Sequence, residues 1–257
     1  MSKPLPGSFR ERFLSGDRLL GTFIKTPTAH ATEIIGGAGF DFVVIDEEHA
    51  PFDRSATDMA LLAARASGIA GLVRVPDATP SHILRVLDDG AAGILVPHVY
   101  SAEKARQVAA AARYRGGQRG YSNSPRAGGY GALTTWPHVD AADASMTVLA
   151  MIEDVEAIEK VDEIVAVEGL DGVFIGRGDL TVAMGAESSN APEVREATAK
   201  IAKAARAAGK SVCVMIAGVA DCPIYAEMGA TAFICSTDQQ FLRQGALKAH
   251  HDFHHSF

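Results

Sequence analysis

The 257-residue sequence predicts an α/β protein, a (β/α)8 TIM barrel built as a single domain over residues 1–257. Three observations carry this. Short apolar, β-branched runs alternate with alanine-rich helical patterns along the whole chain. The apolar runs are continuous rather than alternating, as strands buried on both faces of a parallel sheet are. No Pro/Ser-rich linker divides the chain. Eight βα units with right-handed crossovers close into a barrel, and an open doubly wound sheet is the other arrangement they permit.

In chain order, strands are expected at 19–24, 42–45, 71–75, 93–96, 148–152, 172–175, 211–216 and 231–235. Helices are expected between and after them, at 29–36, 55–66, 81–88, 102–113, 155–167, 194–208, 220–228 and 239–249. In the third of these, Ile83, Leu84 and Leu87 recur at helical spacing, with Arg85 and Asp88 on other faces. A faint repeat supports the count: GAGFDFVVID, GAAGILVPH, GLDGVFIG and GATAFICS share one layout. In each, a glycine ends a helix, a short turn follows, and an apolar strand begins. The position after a helix needs a left-handed backbone, which glycine adopts without strain.

Composition excludes several classes. Hydrophobic residues make up 47%, enough for a sizeable core and too many for a disordered chain. There are 31 acids against 24 bases, a formal charge of −7, so nucleic acid and anionic membrane are not expected partners. The opening residues show no apolar core of a secretion signal, and no run is long enough to span a bilayer. Cys213, Cys222 and Cys235 are odd in number and lack CxxC spacing. They read as reduced residues of a cytoplasmic protein, with Cys213 and Cys235 as small buried hydrophobes. The C-terminal HHDFHH reads as a solvated tail or a helix end against a partner subunit. The stretch 113–131, RYRGGQRGYSNSPRAGGYG, breaks the rhythm. Its arginines suit an anionic ligand, and a surface loop or subunit contact is the equal alternative.

In a βα barrel, polar residues at the C-terminal strand ends face the active site. That places Lys25, the run Asp46 to His49, Arg74, Pro97 and His98, Glu153, and Asp179 around one mouth. Two carboxylates, Glu153 and Asp179, with water or substrate oxygens make a hard-oxygen site for Mg²⁺ or Mn²⁺. Each also stands where it could cap the following helix. His49 suits a general acid or base whose ring Asp46, three residues earlier, would orient. Arg74 suits a carboxylate or enolate oxygen, or an ion pair with one of those acids. Lys25 raises Schiff-base chemistry, which needs a desolvated lysine; an ordinary exposed lysine is the plainer reading.

The segments GTFIKTPTAHATEIIGGAGFDFVVIDEEHAPFD, LVRVPDATPSHILRVLDDGAAGILVPHV, the RG–RG–RAGGYG loop and VEGLDGVFIGRGDLTVAMG resemble the metal-dependent (class II) pyruvate aldolases of the HpcH/HpaI family. The likeness runs from about residue 21 to 247. It implies Mg²⁺ or Mn²⁺ (with Co²⁺ or Zn²⁺ as substitutes) held by Glu153 and Asp179. It implies His49 with Asp46 as acid/base, and Arg74 as the arginine that binds pyruvate and stabilises its enolate. Asp88 matches an aspartate given to a neighbouring subunit's site. Hexamers built from dimers are implied, with C-terminal helices exchanged. Gly176 and Arg177, in IGRGDL, line the substrate side, and Arg177–Gly178 depart from the Pro-Ala-like pair common there. The expected reaction is reversible cleavage of a 4-hydroxy-2-oxo acid to pyruvate and a small aldehyde. The alternatives are a citrate-lyase-like acyl-CoA lyase using the 113–131 arginines, and a barrel that only binds a 2-oxo acid.

Overall fold

The computed structural model describes residues 9–256. Residues 1–8, part of the stretch read for a secretion signal, and residue 257 lie outside them. The first half runs α1 (Phe9–Ser15), β1 (Leu19–Ile24), α2 (Ala29–Gly37), β2 (Phe42–Asp46), α3 (Arg54–Ala66), β3 (Ala70–Arg74), α4 (Pro80–Asp88), β4 (Gly93–Val96) and α5 (Ala102–Ala112). It continues with α6 (Thr135–Ser145), β5 (Thr147–Ile152), α7 (Val155–Glu159), α8 (Val161–Val165), β6 (Gly172–Ile175), α9 (Arg177–Met184), α10 (Pro192–Ala207), β7 (Ser211–Ile216), α11 (Cys222–Met228), β8 (Ala232–Thr237) and α12 (Asp238–His254). All eight strands are parallel neighbours in sequence order, and β8 pairs back to β1, so the sheet closes. The open-sheet alternative is thereby excluded.

The repeat is realised as expected. Gly39, Gly90, Gly169 and Gly229 have φ of 101°, 95°, 88° and 105°, each in the turn that leads from a helix to the next strand. Helix starts follow local chemistry too. Asp53 accepts the Ala56 backbone N–H at 2.8 Å, and Ser101 and Thr237 accept those of Lys104 and Gln240.

Side-chain parity splits the core in two. Phe42 and Val44 of β2, Leu72 of β3, and Leu149 and Met151 of β5 fill the barrel interior with Phe13 of α1. The residues between them, such as Ile45, Val73, Val148 and Ala150, pack outward against the helices. At the N-terminal end, Asp171 joins Arg10 at 2.7 Å and Arg113 at 2.7 Å and accepts the Val148 N–H. These contacts tie α1 and the stretch after α5 to the barrel floor.

Three helices escaped the sequence reading: α1, α6 and α9. Each is short or has apolar residues spread around its axis, so period alone does not reveal it. The helix expected over 155–167 is two, broken at Lys160. Among the described residues no helix is long and apolar enough to cross a membrane. Cys213 and Cys235 are buried, and all three cysteines are free.

Candidate active site

Period-2 geometry delivers the site. Continuing the inward-facing rows 42–44, 70–72 and 149–151 by one more inward step reaches Asp46, Arg74 and Glu153. The same step along β6, beyond Phe174, reaches Gly176. The C-terminal mouth is therefore the polar continuation of the apolar interior.

Asp46 and Arg74 face each other in the β2–β3 register. Arg74 Nε donates to Asp46 Oδ1 at 2.9 Å and Nη2 donates to Oδ2 at 2.8 Å, a two-pronged pair. Asp46 is fully buried. Burial works against its charge, but the Arg74 hydrogen bonds and charge outweigh that and hold the carboxyl below its ordinary value. Arg74 Nη1 lies 3.2 Å from Glu48 Oε2, and its guanidinium carbon sits 4.7 Å from the Phe23 ring centroid.

Two expectations need correction here. Asp46 does not orient the His49 ring. Its Oδ1 accepts the backbone N–H groups of Glu48 and His49, at 3.3 and 3.1 Å, because both carboxylate oxygens are already turned toward Arg74. The ring's acidic neighbour is Glu48, with Nε2 3.6 Å from Oε2. Lys25 is not an ordinary exposed lysine either: Nζ lies 3.1 Å from Asp46 Oδ2. That places it in the site, with its ammonium in an ion pair rather than in the unpaired setting a Schiff-base lysine needs.

Glu153, only 2% exposed, follows β5. Its Oε1 accepts the His98 backbone N–H at 2.8 Å. Among the described residues it has no Lys or Arg within ion-pair distance. Burial, reinforced by the charges of Asp179 and Glu48, pushes its pKa up to about 7. Asp179 is exposed in the first turn of α9. Neither carboxylate caps a helix: Asp154 stands at the α7 N-cap and Gly176 at the α9 N-cap, and neither makes a side-chain cap. A Cβ on Gly176 would lie 2.6 Å from both Cβ and Oε2 of Glu153, so glycine is what lets the carboxylate occupy the mouth.

Carboxylate oxygens such as those of Glu153 and Asp179 suit Mg²⁺ or Mn²⁺ better than a softer metal, which would seek His or Cys ligands. Among the described residues no cluster of three or more His, Cys, Asp or Glu forms a closed metal cage. Any cation here would complete its shell with substrate and water.

His98 and Glu48 were among the strand-end residues but carried no assigned role. His98 has φ of 54°, uncommon for a side-chain-bearing residue, and that turn aims its N–H at Glu153. Its ring lies 3.1 Å from Asp154. Burial disfavours the charged ring, yet the Asp154 hydrogen bond and the charges of Glu153, Asp154 and Glu48 raise its pKa above the ordinary value.

The remaining expected residues are elsewhere. Asp88, at the end of α4, pairs with Arg119 at 3.0 Å and does not join its own chain's cluster. Arg177 is 6% exposed; it donates to the carbonyls of Met215 and Ser189 and to Asn190 Oδ1. The 113–131 arginines are engaged: Arg113 with Asp171, Arg115 with Asp140, Arg119 with Asp88 and Arg126 with Asp58. The loop is a stapled structural element rather than a free anion site.

A closed parallel barrel with a buried carboxylate and an arginine–aspartate pair at its C-terminal mouth defines a barrel enzyme class. The family model described as HpcH/HpaI aldolase/citrate lyase matches residues 19–243, and the chain belongs to that family. It is a carbon–carbon lyase. A 5-keto-4-deoxy-D-glucarate aldolase from Enterobacter sp. (strain 638) is 35% identical over 245 residues, 95% of either chain. The crystal structure of an HpcH/HpaI aldolase/citrate lyase family protein from Burkholderia cenocepacia J2315 superposes with a TM-score of 0.91 at 26% identity, covering 96% of this chain and 99% of that one. The crystal structure of citrate synthase SbnG gives 0.89 at 29% identity, covering 97% and 98%.

Proposed function

We propose that the chain is a divalent-metal-dependent class II aldolase that reversibly cleaves a 4-hydroxy-2-oxo acid to pyruvate and an aldehyde. The observation that carries this is Glu153, a buried carboxylate with no Lys or Arg partner beside the charge of Asp179. A buried carboxylate whose cationic neighbour is only the half-exposed His98 ring, 3.6 Å away, is costly to ionise, and a metal cation at this place removes the cost. Glu153 and Asp179 would hold Mg²⁺ or Mn²⁺, which when bound supplies Lewis-acid polarisation of the 2-oxo group.

The chain's own residues do the rest. Arg74, fixed by Asp46, presents its guanidinium to the 2-oxo oxygen and the adjoining carboxylate. His49 takes the 4-hydroxyl proton on its imidazole. The C3–C4 bond then breaks, C4 becomes the aldehyde carbonyl, and the electron pair passes to the enolate of pyruvate, whose oxyanion faces Arg74. His49 gives up the proton it took, through water, to C3 of the enolate, which completes pyruvate and restores the neutral imidazole. Gly176 keeps the wall beside Glu153 open, and Arg177 frames the acceptor side.

Asp88 serves a neighbouring subunit in a hexamer built as a trimer of dimers, with α12 and its histidine-rich end exchanged. Two facts support this: Asp88 stands apart from its own chain's cluster, and α12 buries none of its side chains, with Leu242 75% exposed. The three free cysteines support a cytoplasmic setting. The acyl-CoA lyase reading is disfavoured by the stapled arginines of 113–131, which leave that loop no free cation for CoA phosphates.

The test is an aldol screen of pyruvate against several aldehydes, with Mn²⁺ and with EDTA. Metal-dependent product that borohydride does not suppress supports the reading. Metal-independent turnover trapped by borohydride overturns it.

A further inference from the structure

The chain holds nine histidines, and four of them, His250, His251, His254 and His255, fall within six positions at the end of α12. The reaction proposed above gives them no part. Residues four apart share one face of a helix, so they form two pairs, 250 with 254 and 251 with 255. The ring centroids lie 4.5 Å apart in the first pair and 3.9 Å in the second. All four side chains are exposed.

The second pair is the better prepared for a ligand. Its rings stack with only 15° between their planes. His255 Nδ1 lies 2.8 Å from the His251 backbone carbonyl, which can only accept, so Nδ1 carries the hydrogen. In the neutral ring that leaves Nε2 with its lone pair free. His251 Nδ1 faces Asp252 Oδ1 at 3.6 Å, and Asp252 is held in turn by Lys248 at 2.5 Å. Both rings thus turn Nδ1 to an oxygen and keep Nε2 for something else. A metal-ligating imidazole has this arrangement: its other nitrogen donates to a carbonyl or carboxylate, which fixes the tautomer and raises the basicity of the ligating one. Two histidines one helical turn apart are also how helical zinc sites present their ligands, at about 2.0–2.1 Å from the ion. The pair closes the 17-residue α12, at the end where the helix dipole is negative and favours a cation.

We infer that His251 and His255 form a second metal site, which takes a borderline divalent ion such as Zn²⁺, Ni²⁺ or Cu²⁺ through Nε2. Ligand chemistry divides the metals between the two ends of the molecule. The oxygens of Glu153 and Asp179 suit hard Mg²⁺ or Mn²⁺, and the nitrogens of α12 suit the borderline ions. The described residues add no third ligand, so water or the same pair of a second copy completes the shell. The inference stands independently of the aldolase reading.

The experiment titrates the untagged full-length protein with Zn²⁺ and Ni²⁺ by calorimetry, as wild type, as Glu153→Gln, and as the double variant His251→Gln with His255→Gln. Wild type and Glu153→Gln are expected to share a binding event that the double variant weakens at least about tenfold. Cu²⁺ electron paramagnetic resonance should show coupling to two nitrogens in wild type and Glu153→Gln, and not in the double variant. Both substitutions lie on the surface, so the unfolding midpoint in EDTA should stay unchanged. One ion per chain or one per two chains upholds the site, the first with water completing the shell and the second with another copy. Equal affinity in the double variant, or an event lost in Glu153→Gln alone, overturns it. Loss on His250→Gln with His254→Gln, and not on the other pair, overturns the assignment to His251 and His255.

Discussion

Arg74 and Asp46 meet through two parallel hydrogen bonds, 2.9 and 2.8 Å, across adjacent strand ends. The register Asp46↔Arg74 fixes both, so the guanidinium is oriented before any substrate arrives. Preorganised charge of this kind is commonly the largest catalytic term. Arg74→Ala should lower kcat by about 10²–10³-fold. Arg74→Lys keeps the charge but not the fork, and should recover only part of it. Steady-state kinetics check both. Near wild-type turnover in Arg74→Ala would remove Arg74 from the reaction.

Asp46→Asn should act differently. It leaves Arg74 buried with half its fork unmatched and Lys25 unpaired, so both stability and kcat fall. Breaking a buried pair costs about 3–5 kcal/mol; Glu48, 3.2 Å from Arg74, softens this, while the unpaired Lys25 adds to it. Denaturant unfolding alongside kinetics measures this. An unaltered unfolding midpoint would mean that the pair contributes nothing to the fold.

Glu153 makes metal-free stability pH-dependent. Its folded pKa, about 7, lies above the unfolded value of 4.5, so the native state binds the proton more tightly. This contribution is largest below pH 4.5 and is lost as pH rises through 7. The span is up to about 3 kcal/mol, as an order of magnitude. Glu153→Gln should flatten the wild-type decline in Tm between pH 5 and 8 in EDTA. Mg²⁺ or Mn²⁺ should stabilise the wild type more at pH 8 than at pH 5.5, since only the carboxylate binds the ion. Parallel Tm profiles for the two proteins in EDTA would contradict the assignment.

Gly176→Ala adds a Cβ 2.6 Å from Glu153 Oε2. The backbone φ is −80°, so the cost comes from displacing Glu153 and not from backbone strain. Mn²⁺ affinity should fall at least tenfold, with overpacking lowering stability by about 1–3 kcal/mol. Mn²⁺ titration followed by electron paramagnetic resonance gives the affinity. Unchanged binding would show that Glu153 moves without consequence.

His49→Ala should lose about 10²–10⁴-fold in rate while still binding Mn²⁺. Loss of the metal instead would make His49 a ligand.

Much of this was legible before the structure because the physics is periodic. Eight apolar runs and four helix-ending glycines specify the closed barrel. Inward parity places Asp46, Arg74 and Glu153 at the mouth, and a carboxylate that ends a buried strand is visible as a pattern. What escaped depends on turns. His98 reaches Glu153 through its backbone N–H at positive φ, and the choice of Asp46 among the acids open to Arg74 is set by a cross-strand register. The pairing of Arg113, Arg115, Arg119 and Arg126 with acids distant in sequence carries no local signal. Nor does the stacking of Arg177 on Tyr225, which belongs to the next βα unit.

The most direct test of the central claim is exchange of the pyruvate methyl protons in D₂O, followed by NMR. Wild-type protein with Mg²⁺ should exchange them without any aldehyde, and EDTA or Glu153→Gln should abolish the exchange. Exchange that persists in EDTA and is lost on borohydride trapping of pyruvate at Lys25 would contradict the account.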